Sequence, residues 1–320
     1  MSMLLSSYAV GGAGQRGRCE KTCSSRKTFP ISDIEEYYSS AKDLQGLKLK
    51  SELNSIIKGH KAYGYDCVWT ALTETDADPD DKTKSNVTTL YSRKSVVDIL
   101  ERIGNECLEN KFAPELWNRE HVWSVSHGFK EEENAHAWTD IHHLFPSQYD
   151  INNDRADRDS IQIIGKIAEN KILSVADIKC DGCFKEEETR EEGFFESPKV
   201  VKGQIARVMF YMDTRYEGDD SSTTNTGDLK LVDRKTNSSK KFGEFGVLSD
   251  LLKWHCEHEV DPRERERNDI VQQWQGNRNP FIDKPEFVQA IWGEEFPEAF
   301  VMCNKTNKTN PEPGSMNCTM

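Results

Sequence analysis

"WNREHVWSVSHGF", residues 117–129, sets an acid directly beside a histidine within an apolar run: Arg119-Glu120-His121-Val122-Trp123. The run "LWNREHVWSV" reads as a strand, and neighbouring side chains on a strand leave it on opposite faces. Glu120 and His121 therefore admit two readings, paired chemistry or a surface carboxylate beside a packed imidazole. A lone Glu-His pair is structural more often than catalytic, so the decision rests on what surrounds it.

Composition sets the outer bounds. The chain has 320 residues, 36% of them hydrophobic, with seven Trp, nine Tyr and fourteen Phe, enough for a core. Such a length suits one large domain or two small ones. No apolar run approaches the roughly 20 residues of a membrane helix. The formal net charge of −13 argues against a tight, purely electrostatic nucleic-acid binder. It is compatible with an enzyme that releases a polyanion quickly. Nine scattered cysteines define no disulfide framework. Cys180 and Cys183 form a CxxC without the second pair that a zinc ribbon needs, so they read as a local disulfide or two free thiols. The start, "MSMLLSSYAVGGAGQRGRC", is either a weak or truncated secretion signal or an unstructured leader. Asn-x-Ser/Thr sequons at Asn86, Asn237, Asn304, Asn307 and Asn317 add a slight lean toward secretion.

Outward from the opening stretch, the chain alternates short strands with amphipathic helices. Ser32 and Glu35 fit a capping box ahead of Ile34, Tyr37 and Tyr38. "LKLKSELNSIIKGH" places Leu49, Leu53, Ile56 and Ile57 on one helical face. "CVWTALTETD" reads as a strand entering the acidic turn "DADPDDKTKS", and "NVTTLYS" as a second strand. Ser95 to Leu108 reads as a helix or a strand–helix junction. In "AWTDIHHLFPSQYDINNDR", residues 137–155, Pro146 interrupts the first part and a helix begins near Asp150. "SPKVVKGQIARVMFYMDTRY" is a strong amphipathic helix with Val201, Ile205, Val208, Met209 and Met212 on one stripe. A polar loop with one short strand follows. "VLSDLLKWHCE" and "DPRERERNDIVQQWQ" are two more helices, and "GNRNPFID" is turn-rich. Trp254 and Trp274 read as core, and "NKTNKTNPEPGSMNCTM" as a tail that does not pack.

Three pieces within 40 residues hold the chemistry: Glu120-His121, His142-His143 and Asn152-Asn153-Asp154-Arg155. Phosphodiester hydrolysis needs a base for water, a cation at the phosphate and help for the leaving oxygen. A carboxylate with an Asn carbonyl suits Mg²⁺, which prefers oxygen and keeps several waters. Three histidines would suit zinc instead.

"NREHVW", "TDIHHLFP" and "DINNDR", in this order, resemble the endonuclease I family, secreted non-specific nucleases of the His-Me finger (ββα-metal) class. "KGQIARVMFYMDTRYEGD" and the helices after it extend the resemblance over residues 33 to 292. It implies an α+β fold with a His-Me finger core wrapped by several helices. Residues 1–31 would be a leader, 32–296 the nuclease domain and 297–320 a disordered tail. By position, His121 matches the general base, Glu120 and Asn152 the metal ligands, Arg155 an arginine that contacts phosphate, and His143 a residue that orders the site.

One Mg²⁺ is implied, with Mn²⁺ or Ca²⁺ as substitutes. DNA and RNA are the implied substrates, cut to leave 5′-phosphate ends, by a secreted protein that needs no membrane and no obligate protein partner. Two features depart from the family pattern. Ala156-Asp157 follows Arg155, and no arginine stands shortly before "TDIHHL". That leaves Arg119, Arg155 and Lys130 as candidates for the cation at the leaving group. These departures also motivate an alternative reading, a catalytically impaired member that binds nucleic acid or a partner. A zinc hydrolase built on His121, His142 and His143 is a third. Of the remaining residues, Asn153 reads as a cap or turn residue, Asp154 and Asp157 as solvated charges, and His127 and His136 as loop residues. Arg263 or Arg267 could line a nucleic-acid groove, and Arg278 could meet a phosphate.

Overall fold

In the computed structural model of the chain, residues 23, 28–97, 116–132, 136–160, 194–218, 225–236, 243–301 and 303 are described. Helices supply most of the framework. α1 (Gly46–Ile57) buries Leu49, Leu53 and Ile57 at the predicted spacing. α2 (Tyr65–Thr75) is the stretch read from sequence as a strand. Its apolar positions Val68, Ala71, Leu72 and Thr75 recur at i, i+3, i+4 and i+7, and all four are buried. The local density of β-prone residues pointed one way, and the helical period, satisfied by packing, decided otherwise.

Two short strands, β1 (Asn86–Thr88) and β2 (Ser95–Val97), pair antiparallel. β3 (Trp117–His121) pairs antiparallel with β4 (Leu144–Gln148) in continuous register, from Trp117 opposite Gln148 to His121 opposite Leu144. Pro146 lies inside β4 and does not end it. A two-stranded ribbon has only edge strands, where proline is tolerated, and the Pro146 carbonyl accepts from the Leu90 amide at 2.7 Å. α3 (Tyr149–Arg155) follows at once and lies across both strands.

α4 (Lys202–Arg215) is the axis of the main core. Only one stripe was expected to be buried, yet every residue of the helix except Gln204 is buried. Three of its four charged groups are tolerated in ion pairs: Arg207 with Glu264, Lys202 with Glu196, Asp213 with Lys50, while Arg215 donates from Nε to Nδ1 of His60. α5 (Leu248–Glu257) and α1 pack on it. α6 (Pro262–Gln275) shows its limits in sequence: Asp261 and Glu264 form a capping box, Pro262 occupies the first turn, and Gly276 ends the helix at φ 89°. Trp254 and Trp274 are both fully buried, as expected. α7 (Glu286–Trp292) closes the core against α1.

Several boundaries differ from the sequence reading. Asp33, not Ser32, caps the first helical turn, accepting from the Glu36 amide. Packed structure continues past residue 296: Ala299 and Phe300 are buried, and Cys303 is disulfide-bonded to Cys256. Cys23, in the expected leader, is bonded to Cys67 on α2. Asn279 caps a helical turn over Pro280–Asp283 where only turns were expected. The CxxC and the sequons at 237, 304, 307 and 317 lie outside the described residues. No helix among the described residues is long and apolar enough to cross a membrane.

Candidate active site

The ladder between β3 and β4 runs without a bulge through Glu120 and His121, so the two side chains leave on opposite faces. The pairing shows no local distortion that would bring them to one side. Glu120 shares its face with Asn118, and both meet α3. His121 shares the other face with Arg119 and meets Tyr65 and Trp138. His121 is the last residue of β3.

Glu120 is 1% exposed. Its Oε1 accepts from the Tyr91 hydroxyl at 2.6 Å and lies 3.3 Å from Nη1 of Arg155. Burial lifts its carboxyl above the usual carboxylate range, with the Arg155 charge and then the Tyr91 hydroxyl pulling it back. Among the described residues Oε2 accepts no hydrogen bond. Asn152 has the same half-held form. Its Nδ2 donates to Oδ1 of Asn118 at 2.8 Å, and its own Oδ1 accepts nothing among the described residues. The scaffold thus pins one atom of each side chain and leaves one oxygen of each available. Two open oxygens, one anionic and one amide, match a hard cation that keeps most of its waters. No group of three or more His, Cys, Asp or Glu among the described residues could hold a metal.

Arg155 is buried at 2% exposure, not presented to solvent. Its guanidinium donates to the carbonyls of His121, at 2.9 Å, and Val122, beside its ion pair with Glu120. The structure therefore places it as the clamp that fastens α3 to the end of β3 and as the counter-charge of Glu120. A buried carboxylate without such a partner would be costly.

The His121 ring stacks on Trp138, with centroids 4.5 Å apart and planes 13° from parallel, and its Nε2 donates to the Trp138 carbonyl at 3.0 Å. That bond fixes the tautomer, leaving Nδ1 with the lone pair. Burial holds the imidazole well below the usual histidine range. His143 pushes the same way, the Trp138 carbonyl opposes, and Arg119 and Arg155 add to the lowering. His121 is therefore neutral at physiological pH, the form a proton acceptor needs. His143 backs it, ring centroids 5.3 Å apart, and donates from Nε2 to the Ala137 carbonyl at 2.6 Å.

The three histidines of the zinc reading do not converge. Their Nε2 atoms engage three different carbonyls, those of Trp138, Asn277 and Ala137 for His121, His142 and His143. Asp140 organises the ground beneath them. It accepts from the His142 amide, Gln275 and the hydroxyls of Tyr211 and Tyr216.

Arg119 sits 3.4 Å above the Tyr65 ring and donates to its carbonyl. Lys130 is exposed and 3.9 Å from Glu132. Arg267 is buried on Asp76, and Arg278 is buried against Asp269 and Asp283, so neither is offered to a nucleic-acid groove. His127, expected in an exposed loop, is buried and bonded to the carbonyls of Glu244 and Asp157.

Three site residues had escaped the sequence reading: Asn118, Tyr91 and Trp138. Strand alternation could have flagged Asn118, two residues before Glu120. No local signal links Tyr91 to Glu120 across 29 residues.

The profile of the Endonuclease I family matches residues 45–286. The chain belongs to the Endonuclease I family. It is 38% identical over 290 residues to an extracellular ribonuclease of Bacillus amyloliquefaciens, covering 90% of this chain and 89% of the relative. It is likewise 38% identical over 266 residues to an extracellular ribonuclease of Bacillus subtilis, covering 82% and 80%. An extracellular deoxyribonuclease of Aeromonas hydrophila is 30% identical over 157 residues, covering 48% and 53%. As a member of the Endonuclease I family, the chain is a hydrolase that cleaves nucleic acids.

Proposed function

We propose that this chain is a secreted, metal-dependent, non-specific endonuclease that cuts RNA and DNA to 5′-phosphate and 3′-hydroxyl ends. In this reading β3, β4 and α3 form a His-Me finger at the centre of the nuclease domain. The supporting observation is the half-held pair Glu120 and Asn152, with a neutral His121 next to Glu120 at the end of the same strand. Glu120 Oε2 and Asn152 Oδ1 would hold one Mg²⁺, with Mn²⁺ or Ca²⁺ as substitutes. Bound there, the ion supplies charge neutralisation at the phosphate and at the departing oxygen.

His121 Nδ1 takes a proton from the attacking water while Nε2 stays bonded to the Trp138 carbonyl. The water oxygen bonds to phosphorus, the bond to the 3′ oxygen breaks, and that oxygen gains a proton from solvent. Arg155 keeps Glu120 ionised and the strand end in place, and His143 backs the His121 ring. Weak sequence preference follows where contacts fall on phosphate and sugar. Relatives named for RNA and for DNA support the breadth of substrate. Their description as extracellular, with the two disulfides among the described residues, supports secretion.

The test is cleavage of plasmid DNA and of RNA, with Mg²⁺ and with chelator, by the parent, His121→Ala and Glu120→Ala. His121→Ala should lose roughly 10²- to 10⁴-fold in rate, and Glu120→Ala should recover partly at high Mg²⁺. Undiminished cutting by His121→Ala would refute the base assignment.

A further inference from the structure

Among the described residues, the large apolar side chains left exposed are Ile31, Leu47, Tyr149, Val200 and Val301, and Tyr149 is the one aromatic, 41% exposed. The other rings of the neighbourhood are spent on one another: His121 on Trp138, Trp138 on Tyr65, Trp69 on Trp117. Tyr149 enters no ring contact with a described residue. It is fastened through its backbone, the amide donating to the Leu116 carbonyl at 2.8 Å.

Its place in the helix gives the exposed ring a meaning. Tyr149 and Asn152 are three residues apart on α3, so their Cβ atoms are neighbours about 5–6 Å apart, and Arg155 stands a further step round the helix. The contacts show how the helix follows β3. Residue 149 meets Leu116, Asn152 meets Asn118, and Arg155 meets Glu120, His121 and Val122. Tyr149 therefore stands about one helical turn before Asn152, the neighbour whose open oxygen belongs to the proposed metal ledge. It lies within reach of the nucleotide next to the phosphate bound there.

The charge distribution leaves work for such a ring. The chain carries a formal net charge of −13, Arg155 is buried, and Arg119 is stacked on Tyr65 and Trp69. Phosphate attraction from these arginines is limited, whereas stacking of a base on an aromatic face works without charge. We propose that Tyr149 is a substrate-binding residue that stacks a nucleobase adjacent to the scissile phosphate, which favours single-stranded RNA or DNA over duplex. Base faces are available in single strands and covered in duplexes. This rests on the reading of Glu120, Asn152 and His121 as the cleavage site.

The test uses the full chain and a single-stranded oligonucleotide with one cleavable phosphodiester among methylphosphonates. Either a base or an abasic sugar flanks the cleavable linkage. On the base-bearing strand Tyr149→Ala should raise KM about 5- to 100-fold with kcat within about twofold, and Tyr149→Phe should match the parent. On the abasic strand the parent and Tyr149→Ala should be equal. In a His121→Ala background, Tyr149→Trp should give indole fluorescence that the base-bearing strand quenches and the abasic strand does not. Equal KM for parent and Tyr149→Ala, the same loss on both strands, or a loss confined to kcat would overturn the proposal. His121→Ala and Glu120→Ala separate the two readings. If they cut like the parent, the cleavage site is wrong; if they are inactive while Tyr149→Ala is normal, only the stacking role fails.

Discussion

Removing Arg155 tests the site at the point where fold and chemistry share one interaction. Arg155 and Glu120 are 2% and 1% exposed, so neither charge has water to fall back on. Deleting one partner of a buried pair costs about 3–5 kcal/mol. The carbonyls of His121 and Val122 lose a donor at the same time, a cost that overlaps with the first. We expect Arg155→Ala to lose about 4 kcal/mol, against a total stability on the order of 5–15 kcal/mol. Glu120→Gln removes the anion but keeps a side-chain oxygen for the Tyr91 hydroxyl, and Arg155 keeps its two carbonyls, so about 1.5 kcal/mol is expected. The double variant has no stranded charge. It should lose about 3 kcal/mol rather than the sum of about 5.5, a coupling of about 2.5 kcal/mol. Urea unfolding near neutral pH with chelator, read by tryptophan fluorescence, measures all three. A coupling below about 0.5 kcal/mol would show that Arg155 is not the counter-charge of Glu120. In the same protein, Arg155→Ala should move the acid limb of activity to higher pH, because burial then raises the Glu120 carboxyl against the Tyr91 hydroxyl alone.

Asn118→Ala should weaken Mg²⁺ activation about 10- to 100-fold, since it frees the Asn152 amide to turn, while activity returns at high Mg²⁺; a loss that no Mg²⁺ concentration restores would count against a positioning role. Burial pushes His60 and His255 down to about 3, and His142 and His143 down to about 4. The unfolded chain protonates such groups near 6.5, so it binds more protons below that pH and stability falls as pH falls from 6.5 toward 4. At pH 5 each contributes a loss on the order of 2 kcal/mol, and an unchanged urea midpoint between pH 7.5 and pH 5 would contradict neutral buried histidines. Replacing Cys256 and Cys303 by alanine opens a loop of 47 residues and should cost about 4 kcal/mol on chain-entropy arithmetic, seen as a lower urea midpoint.

Sequence alone determined those parts that repeat with a period or carry a short-range marker. The α1 stripe, the helical runs of α4, α5 and α6, the β3 strand and the order Glu120-His121, His142-His143, Asn152 were all legible there. They are legible because periodicity acts within a few residues. Tertiary structure decided what depends on distant partners. It made "CVWTALTETD" a helix by burying Val68, Leu72 and their neighbours. It took Arg155 out of solvent and set it against Glu120, and it brought Tyr91 across 29 residues to the same carboxylate. It turned Trp138 into the residue that sets the plane and tautomer of His121. Desolvation and ion pairing are properties of a completed interior, and no stretch of chain shorter than the fold contains them.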